Sequence, residues 1–196
     1  MWSAIPRHCR RRIQRCGPGR RRVRQPARAV RLEPAGPAIG TPGYDGAGTP
    51  RTGNSGGRRR NGYVGPDELA LEGLLVQPDT DKPWPMVTYV HGGPIWAWRS
   101  RWAMGYPYSL LLARNGIAVF HPNPRGSSGR GEEFRRAVVG DLGGAERYDV
   151  LCGVDHLVDA GIADPTRLGI LGGSHGGYLA ALLITESERF KACVTY

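Results

Sequence analysis

The sequence predicts an α/β fold: a doubly wound, mostly parallel sheet, incomplete at the C-terminus. Three observations predict it. Across residues 61–196, short apolar runs alternate with helix-length amphipathic stretches, and strands alternating with helices give parallel pairing. One run, Leu168-Gly169-Ile170-Leu171, passes through Gly172-Gly173-Ser174-His175-Gly176-Gly177 into the helix-like Tyr178–Ile184. Another, Met86–Val90, leads at once into His91-Gly92-Gly93-Pro94.

The elements follow in order. Leu69–Val76 starts with a partly alternating strand pattern, and Gln77–Pro85 is a polar, Pro-containing turn. Met86–Val90 is a buried strand. Pro107–Asn115 fits a helix with Leu110, Leu111 and Leu112 inward and Gly116 closing it. Ile117–Phe120 is the next strand. Ala145–Ala160 is helical, with an apolar stripe of Tyr148, Leu151, Cys152, Val154, Leu157 and Val158, and Gly161 ends it. Asp164-Pro165 turns the chain into the strand before Ser174. Ala192–Tyr196 begins one more strand.

Strand, Gly-x-Ser-x-Gly, helix is the nucleophile elbow of an α/β-hydrolase. The turn is too tight for side chains beside the serine, so glycines flank it. Ser174 is the candidate nucleophile. His175 matters through its backbone N–H, which follows the nucleophile and points to a developing oxyanion. The second donor comes from the loop after Met86–Val90. Pro94 has no N–H, which leaves Gly92 and Gly93, with Gly93 favoured. The plain alternative is an ordinary Gly-Pro turn.

Five motifs occur here in one order: His91-Gly92-Gly93-Pro94, Asn123-Pro124-Arg125-Gly126-Ser127-Ser128-Gly129, Gly140-Asp141-Leu142-Gly143-Gly144, Asp164-Pro165-Thr166-Arg167-Leu168-Gly169, and the elbow with Tyr178. In this the chain resembles the prolyl oligopeptidase family of serine peptidases, from about Leu69 to Tyr196. Gly173 and His175 beside Ser174 make it most similar to the acylaminoacyl-peptidase branch. The resemblance implies an α/β-hydrolase domain that hydrolyses peptide or acyl-peptide bonds through an acyl-enzyme, with no cofactor. An esterase-like hydrolase of the same fold, or an inactive binding fragment, are the alternatives.

Two departures from the family stand out. No β-propeller pattern precedes the domain. In these hydrolases the triad runs Ser, then Asp or Glu, then His, whereas the acids after Ser174 are Glu186 and Glu188 and no His follows His175. The expectation is therefore the N-terminal part of a catalytic domain, inactive alone.

Composition divides the chain near residue 60. Residues 1–60 hold fifteen Arg against two acids, Glu33 and Asp45, a net of +13, while 61–196 carry a net of −3. The first segment is rich in Gly, Pro and Arg and poor in apolar residues, so a disordered basic tail is expected. It lacks interleaved aromatics, which argues against a specific nucleic-acid partner. A segment of this composition is also what a misassigned reading-frame start would give. Arg11-Arg12 is followed by no apolar stretch, so no export signal is supported. No run approaches the roughly 18 apolar residues of a membrane span. Cys9 and Cys16 are too far apart for a zinc knuckle, and Cys152 and Cys193 read as packing residues. A cytoplasmic, peptide-directed protein fits best; its oligomeric state is not legible.

Other residues take plainer readings. His91 reads as a loop-orienting side chain more than a reacting one, and with Gly92 it borders the substrate. Arg125 reads as bracing its glycine-rich loop, with substrate contact the alternative. His121, His156 and His175 lack metal-ligand spacing. Trp84, Trp96, Trp98 and Trp102 cluster near His91–Pro94, either as core or as a wall of the substrate pocket.

Overall fold

The computed structural model describes residues 43–44, 50–51, 58–99 and 107–196. Its elements are β1 (Gly43–Tyr44), β2 (Pro50–Arg51), β3 (Arg58–Val64), β4 (Ala70–Val76), β5 (Trp84–Val90), α1 (Pro107–Arg114), β6 (Ala118–Asn123), α2 (Glu132–Arg136), α3 (Ala145–Asp159), β7 (Ala163–Gly172), α4 (His175–Glu186) and β8 (Phe190–Thr195). β1 and β2 form a two-residue antiparallel ladder. The other strands form one sheet in the order β3-β4-β6-β5-β7-β8. β6, β5, β7 and β8 pair in parallel, and β4 and β3 are added antiparallel at one edge. The α/β class and mostly parallel sheet read from the sequence are what the molecule shows.

Both faces of the sheet are covered. Side chains alternate across a strand, and β4, β5 and β6 divide accordingly. Leu75, Met86, Val90 and Phe120 pack with Val150, Val154, Leu157, Leu179 and Leu183 of α3 and α4. Leu74, Val76, Tyr89 and Val119 pack with Trp98 and Ala113 on the α1 side. The α3 stripe forms as expected. In α1 the expected inward Leu111 is 60% exposed, while Ser109 and Ala113 are buried and Leu110 and Leu112 partly so. Successive helical residues turn through about 100°, so three consecutive leucines cannot share a face.

Four elements have no expectation in the sequence: β1 and β2, which lie within the expected tail, and β3 and α2. β3 begins with Arg58-Arg59-Arg60-Asn61, which carries no apolar alternation. Pairing with β4 creates it, through a turn in which Gly65 N–H donates to Leu69 O at 2.8 Å. Tyr63 is the side chain it buries in the core. α2 is five residues long, too short for a periodic signal. The disordered tail expected over residues 1–60 lies mostly outside the described residues, and β3 crosses its expected boundary. β5 starts at Trp84, inside the expected turn. The Asp164-Pro165 turn is present as an irregularity in β7: register passes from Ala163 to Leu168 while β5 advances only from Trp84 to Met86. Asp164 Oδ1 closes it, accepting from Thr166 N–H at 2.8 Å and Thr166 Oγ at 2.7 Å.

Candidate active site

Ser174 stands where β7 gives way to α4, is exposed, and has φ 54° and ψ −123°. A non-glycine residue with φ in this range is strained, so the surroundings must impose the turn. Ser174 N–H donates to Tyr196 O at 2.8 Å, Tyr196 N–H donates to Gly172 O at 3.2 Å, and Tyr178 N–H donates to Ser174 O at 3.0 Å. The Tyr196 ring lies over Gly173, where a Cβ would sit 2.5 Å from Cε2. Its hydroxyl shares a 2.5 Å hydrogen bond with that of Tyr89 on β5. A Cβ on Gly176 would enter the space of the Val90 and His91 carbonyl oxygens. Gly172 and Gly176 answer a steric requirement of neighbouring backbone, and Gly173 that of the Tyr196 ring.

The loop after β5 meets this turn directly. A Cβ on Gly92 would lie 3.0 Å from Gly173 O and 3.4 Å from Ser174 Cβ. Gly93 has φ 64°, and its carbonyl accepts Trp96 N–H at 3.0 Å. Gly92 and Ser174 are thus brought together from residues 82 positions apart.

His91 does not turn its nitrogens to Ser174. It is buried, with Nε2 3.0 Å from Ser127 Oγ and Nδ1 3.3 Å from Gly92 O. A carbonyl only accepts, so Nδ1 carries the proton and Nε2 accepts from the Ser127 hydroxyl. Burial lowers its pKa, against the opposing pull of the nearby backbone carbonyls. The neutral ring tethers the loop.

Residues 123–128 grip the same loop. Asn123 Oδ1 accepts Trp98 N–H at 2.8 Å and its Nδ2 donates to Trp98 O at 3.0 Å. Ser128 N–H donates to Trp96 O at 3.1 Å. Arg125 is engaged inward. Its N–H, Nε and Nη2 each donate to buried Asp149 at 2.8 Å, and Nη1 and Nη2 donate to Asp67 at 2.9 Å. Burial opposes the guanidinium charge, but the two carboxylates outweigh it and raise the Arg125 pKa. Partial burial opposes ionisation of Asp67, but the bonds and charge of Arg125 prevail and hold its carboxyl below the usual range. Arg125 therefore joins the 123–128 segment to α3 and to the β3–β4 turn.

Asp67 gives a pH prediction. Its folded pKa lies below the unfolded value of about 3.9. Its contribution is therefore complete above that value and lost as pH falls through the folded pKa. Asp67 is 46% exposed, so Asp67→Asn should cost only about 0.5–1 kcal/mol at pH 7. Urea melts of the two proteins should converge as pH falls below the unfolded value and through the folded one; a gap that never narrows on acidification would contradict the assignment.

The remaining residues separate clearly. Trp84 and Trp98 are 5% exposed and belong to the core; Trp96 is 37% exposed beside His91, and Trp102 lies outside the described residues. His121 Nε2 is 2.9 Å from Ser109 Oγ, and His156 stacks on Tyr63. Cys152 is buried as expected and Cys193 only partly; both are free thiols, while Cys9 and Cys16 lie outside the described residues. Among the described residues no group of three or more His, Cys, Asp or Glu side chains could hold a metal ion. Sequence reasoning missed two participants: Ser127, and Glu146, whose Oε2 accepts from His175 Nε2 at 3.1 Å. Glu146 begins an amphipathic helix, where an acid is ordinary, and no local pattern shows its partner.

Residues 105–196 match the family model described as prolyl oligopeptidase family. A peptidase of Bacillus subtilis, YuxL, is 38% identical over 141 residues, covering 68% of this chain and 20% of that protein. The acylamino-acid-releasing enzyme of Rattus norvegicus is 34% identical over 131 residues, covering 65% and 18%. Among solved structures, a Mycobacterium tuberculosis puromycin-hydrolyzing peptidase superposes with a TM-score of 0.68 at 29% identity, covering 75% of this chain and 23% of that one. The Pyrococcus horikoshii acylaminoacyl peptidase gives 0.63 at 32%, covering 71% and 22%. The chain spans about a fifth of the length of these relatives. Among the described residues no helix is long and apolar enough to cross a membrane.

Proposed function

With residues 105–196 belonging to the prolyl oligopeptidase family, we propose that this chain supplies the nucleophile and oxyanion hole of a serine peptidase. One observation carries the reading. Ser174 is exposed and held at a left-handed φ on a strand-to-helix turn, with Gly92 so near that a Cβ there would lie 3.4 Å from Ser174 Cβ. Strain at such a position persists only where the surroundings impose it, and it concentrates at working sites.

Ser174 Oγ attacks the scissile carbonyl carbon and gives its proton to a general base. The carbonyl oxygen becomes an oxyanion held by the N–H groups of Gly93 and His175. The tetrahedral intermediate collapses to an acyl-enzyme as the protonated base hands its proton to the leaving amine. Water then repeats the sequence and frees the acid. His91 keeps the oxyanion loop in place, Gly92 lets substrate approach, and Arg125 acts by bracing. The base is a histidine other than His91, His121, His156 and His175, oriented by an acid also outside the described residues. No cofactor takes part. Gly173 and His175 beside the serine, with the acylaminoacyl-peptidase relatives, favour peptides or acyl-peptides as substrates. Residues 1–60 take no part in the reaction, nor does nucleic acid or membrane. The free thiols at Cys152 and Cys193 suit the cytoplasm.

The test is covalent. This chain, continued by the downstream part of the B. subtilis relative, is treated with a fluorophosphonate and mapped by mass spectrometry. The adduct is expected on Ser174. An adduct on any other serine would overturn the assignment.

A further inference from the structure

The side chain of His175 has a partner that the reaction does not use. Glu146 is the second residue of α3 and is 1% exposed. Each of its oxygens has a donor: Oε1 accepts Gly143 N–H at 2.6 Å, and Oε2 accepts His175 Nε2–H at 3.1 Å. A buried carboxylate is costly unless paired and hydrogen-bonded. It is therefore not a surface acid placed merely to suit the N-terminal end of α3.

The bond joins the first turn of α3 to the first turn of α4. A second contact runs parallel to it. Gly143 has φ 76°, and a Cβ there would run into the Tyr178 hydroxyl. That hydroxyl donates to Leu142 O at 3.5 Å, while Tyr178 N–H holds Ser174 O at 3.0 Å. Residues 142–146 thus hold α4 at 175 and 178, which share a face one turn apart.

We propose that Glu146 is a positioning residue of the oxyanion hole: by holding the His175 ring it fixes the peptide plane whose N–H follows Ser174. This deepens the peptidase reading and rests on it. The strained Ser174 dihedrals would relax by rotation of that plane; Tyr178 N–H on Ser174 O opposes the rotation, and a side-chain anchor on the next residue adds to it. The need is quantitative. A misplacement of about 1 Å at a catalytic group costs on the order of 10²-fold in rate. The Gly140–Gly144 motif then has a physical reason: its left-handed glycines bring a backbone N–H and Tyr178 together against Glu146.

The experiment reads the pair without turnover, so it stays separate from the labelling of Ser174. Long-range ¹H–¹⁵N correlation on the 196-residue chain should show His175 protonated at Nε2, with a slowly exchanging ring proton. The Nδ1–H tautomer, or a ring in fast exchange with solvent, would overturn the proposal without any variant. In Glu146→Gln the Ser174 and Tyr178 amides, bonded to Tyr196 O and Ser174 O, should exchange about tenfold faster or more, the equilibrium equivalent of a lost charge-assisted hydrogen bond. Amides of β5 should keep their rates. An equal rise throughout β5 would make Glu146 a general stability residue, and unchanged Ser174 and Tyr178 amides would remove its positioning role. Should Glu146→Gln fail to fold, His175→Ala, which removes the donor while Gly143 N–H still serves Glu146, supplies the same comparison.

Discussion

Ser174→Ala is expected to remove catalysis, lowering turnover of an acyl-peptide anilide by at least about 10³-fold in the chain continued by its relative's downstream part. A serine hydroxyl is a weak nucleophile until a base takes its proton, and alanine leaves nothing to transfer the acyl group to. What survives is binding and the oxyanion hole, worth about 10³–10⁴-fold over water. The same logic makes the 196-residue chain alone as slow as its own Ser174→Ala variant. His91 is committed to Ser127, His121 to Ser109 and His175 to Glu146, while His156 stacks on Tyr63. None of these contacts presents an imidazole to Ser174. Initial rates with an activated ester decide the matter. Serine-dependent turnover by the chain alone would require a base among these four, or His8.

Gly176→Ala should be among the most damaging single methyls at the described glycines. Its Cβ would lie 2.7 Å from His91 O and nearer still to Val90 O. Both are backbone atoms at the end of β5, so no side chain can swing aside. Relief requires α4 to move off the sheet, taking Leu179 and Leu183 out of the core. Overpacking of this kind costs about 3 kcal/mol or more. It should appear as a lower urea midpoint at constant slope. Ala181→Gly offers the contrast: Ala181 is exposed on the same helix, and the change should cost only about 1 kcal/mol. A Gly176→Ala midpoint within error of the unmodified chain would contradict this packing.

Much of this arrangement was legible because its signals are local. A left-handed turn between strand and helix needs glycines at fixed offsets, and α3 shows its stripe at helical spacing. The elbow and the loop after β5 were therefore readable from their own residues. Other features depend on partners far along the chain. Arg58-Arg59-Arg60 becomes a strand only because β4 offers an edge. Glu146 looks like any helix-starting acid until His175 meets it. Arg125 could be read as a brace but not traced to Asp67, 58 residues away. Leu111 was misplaced for another reason: a run of three leucines carries no phase. Trp84, Trp96 and Trp98 looked alike in sequence because burial of an aromatic is decided by the neighbouring strands and helices, not by its own residues.

The Ser174 amide bonds to a carbonyl on Tyr196, 22 residues onward. During synthesis the turn therefore lacks this bond when its own residues emerge from the ribosome. It gains it once β8 and Tyr196 have been made and set beside β7. Ser174 is thus presented in its strained conformation only by a chain that has been completed through Tyr196.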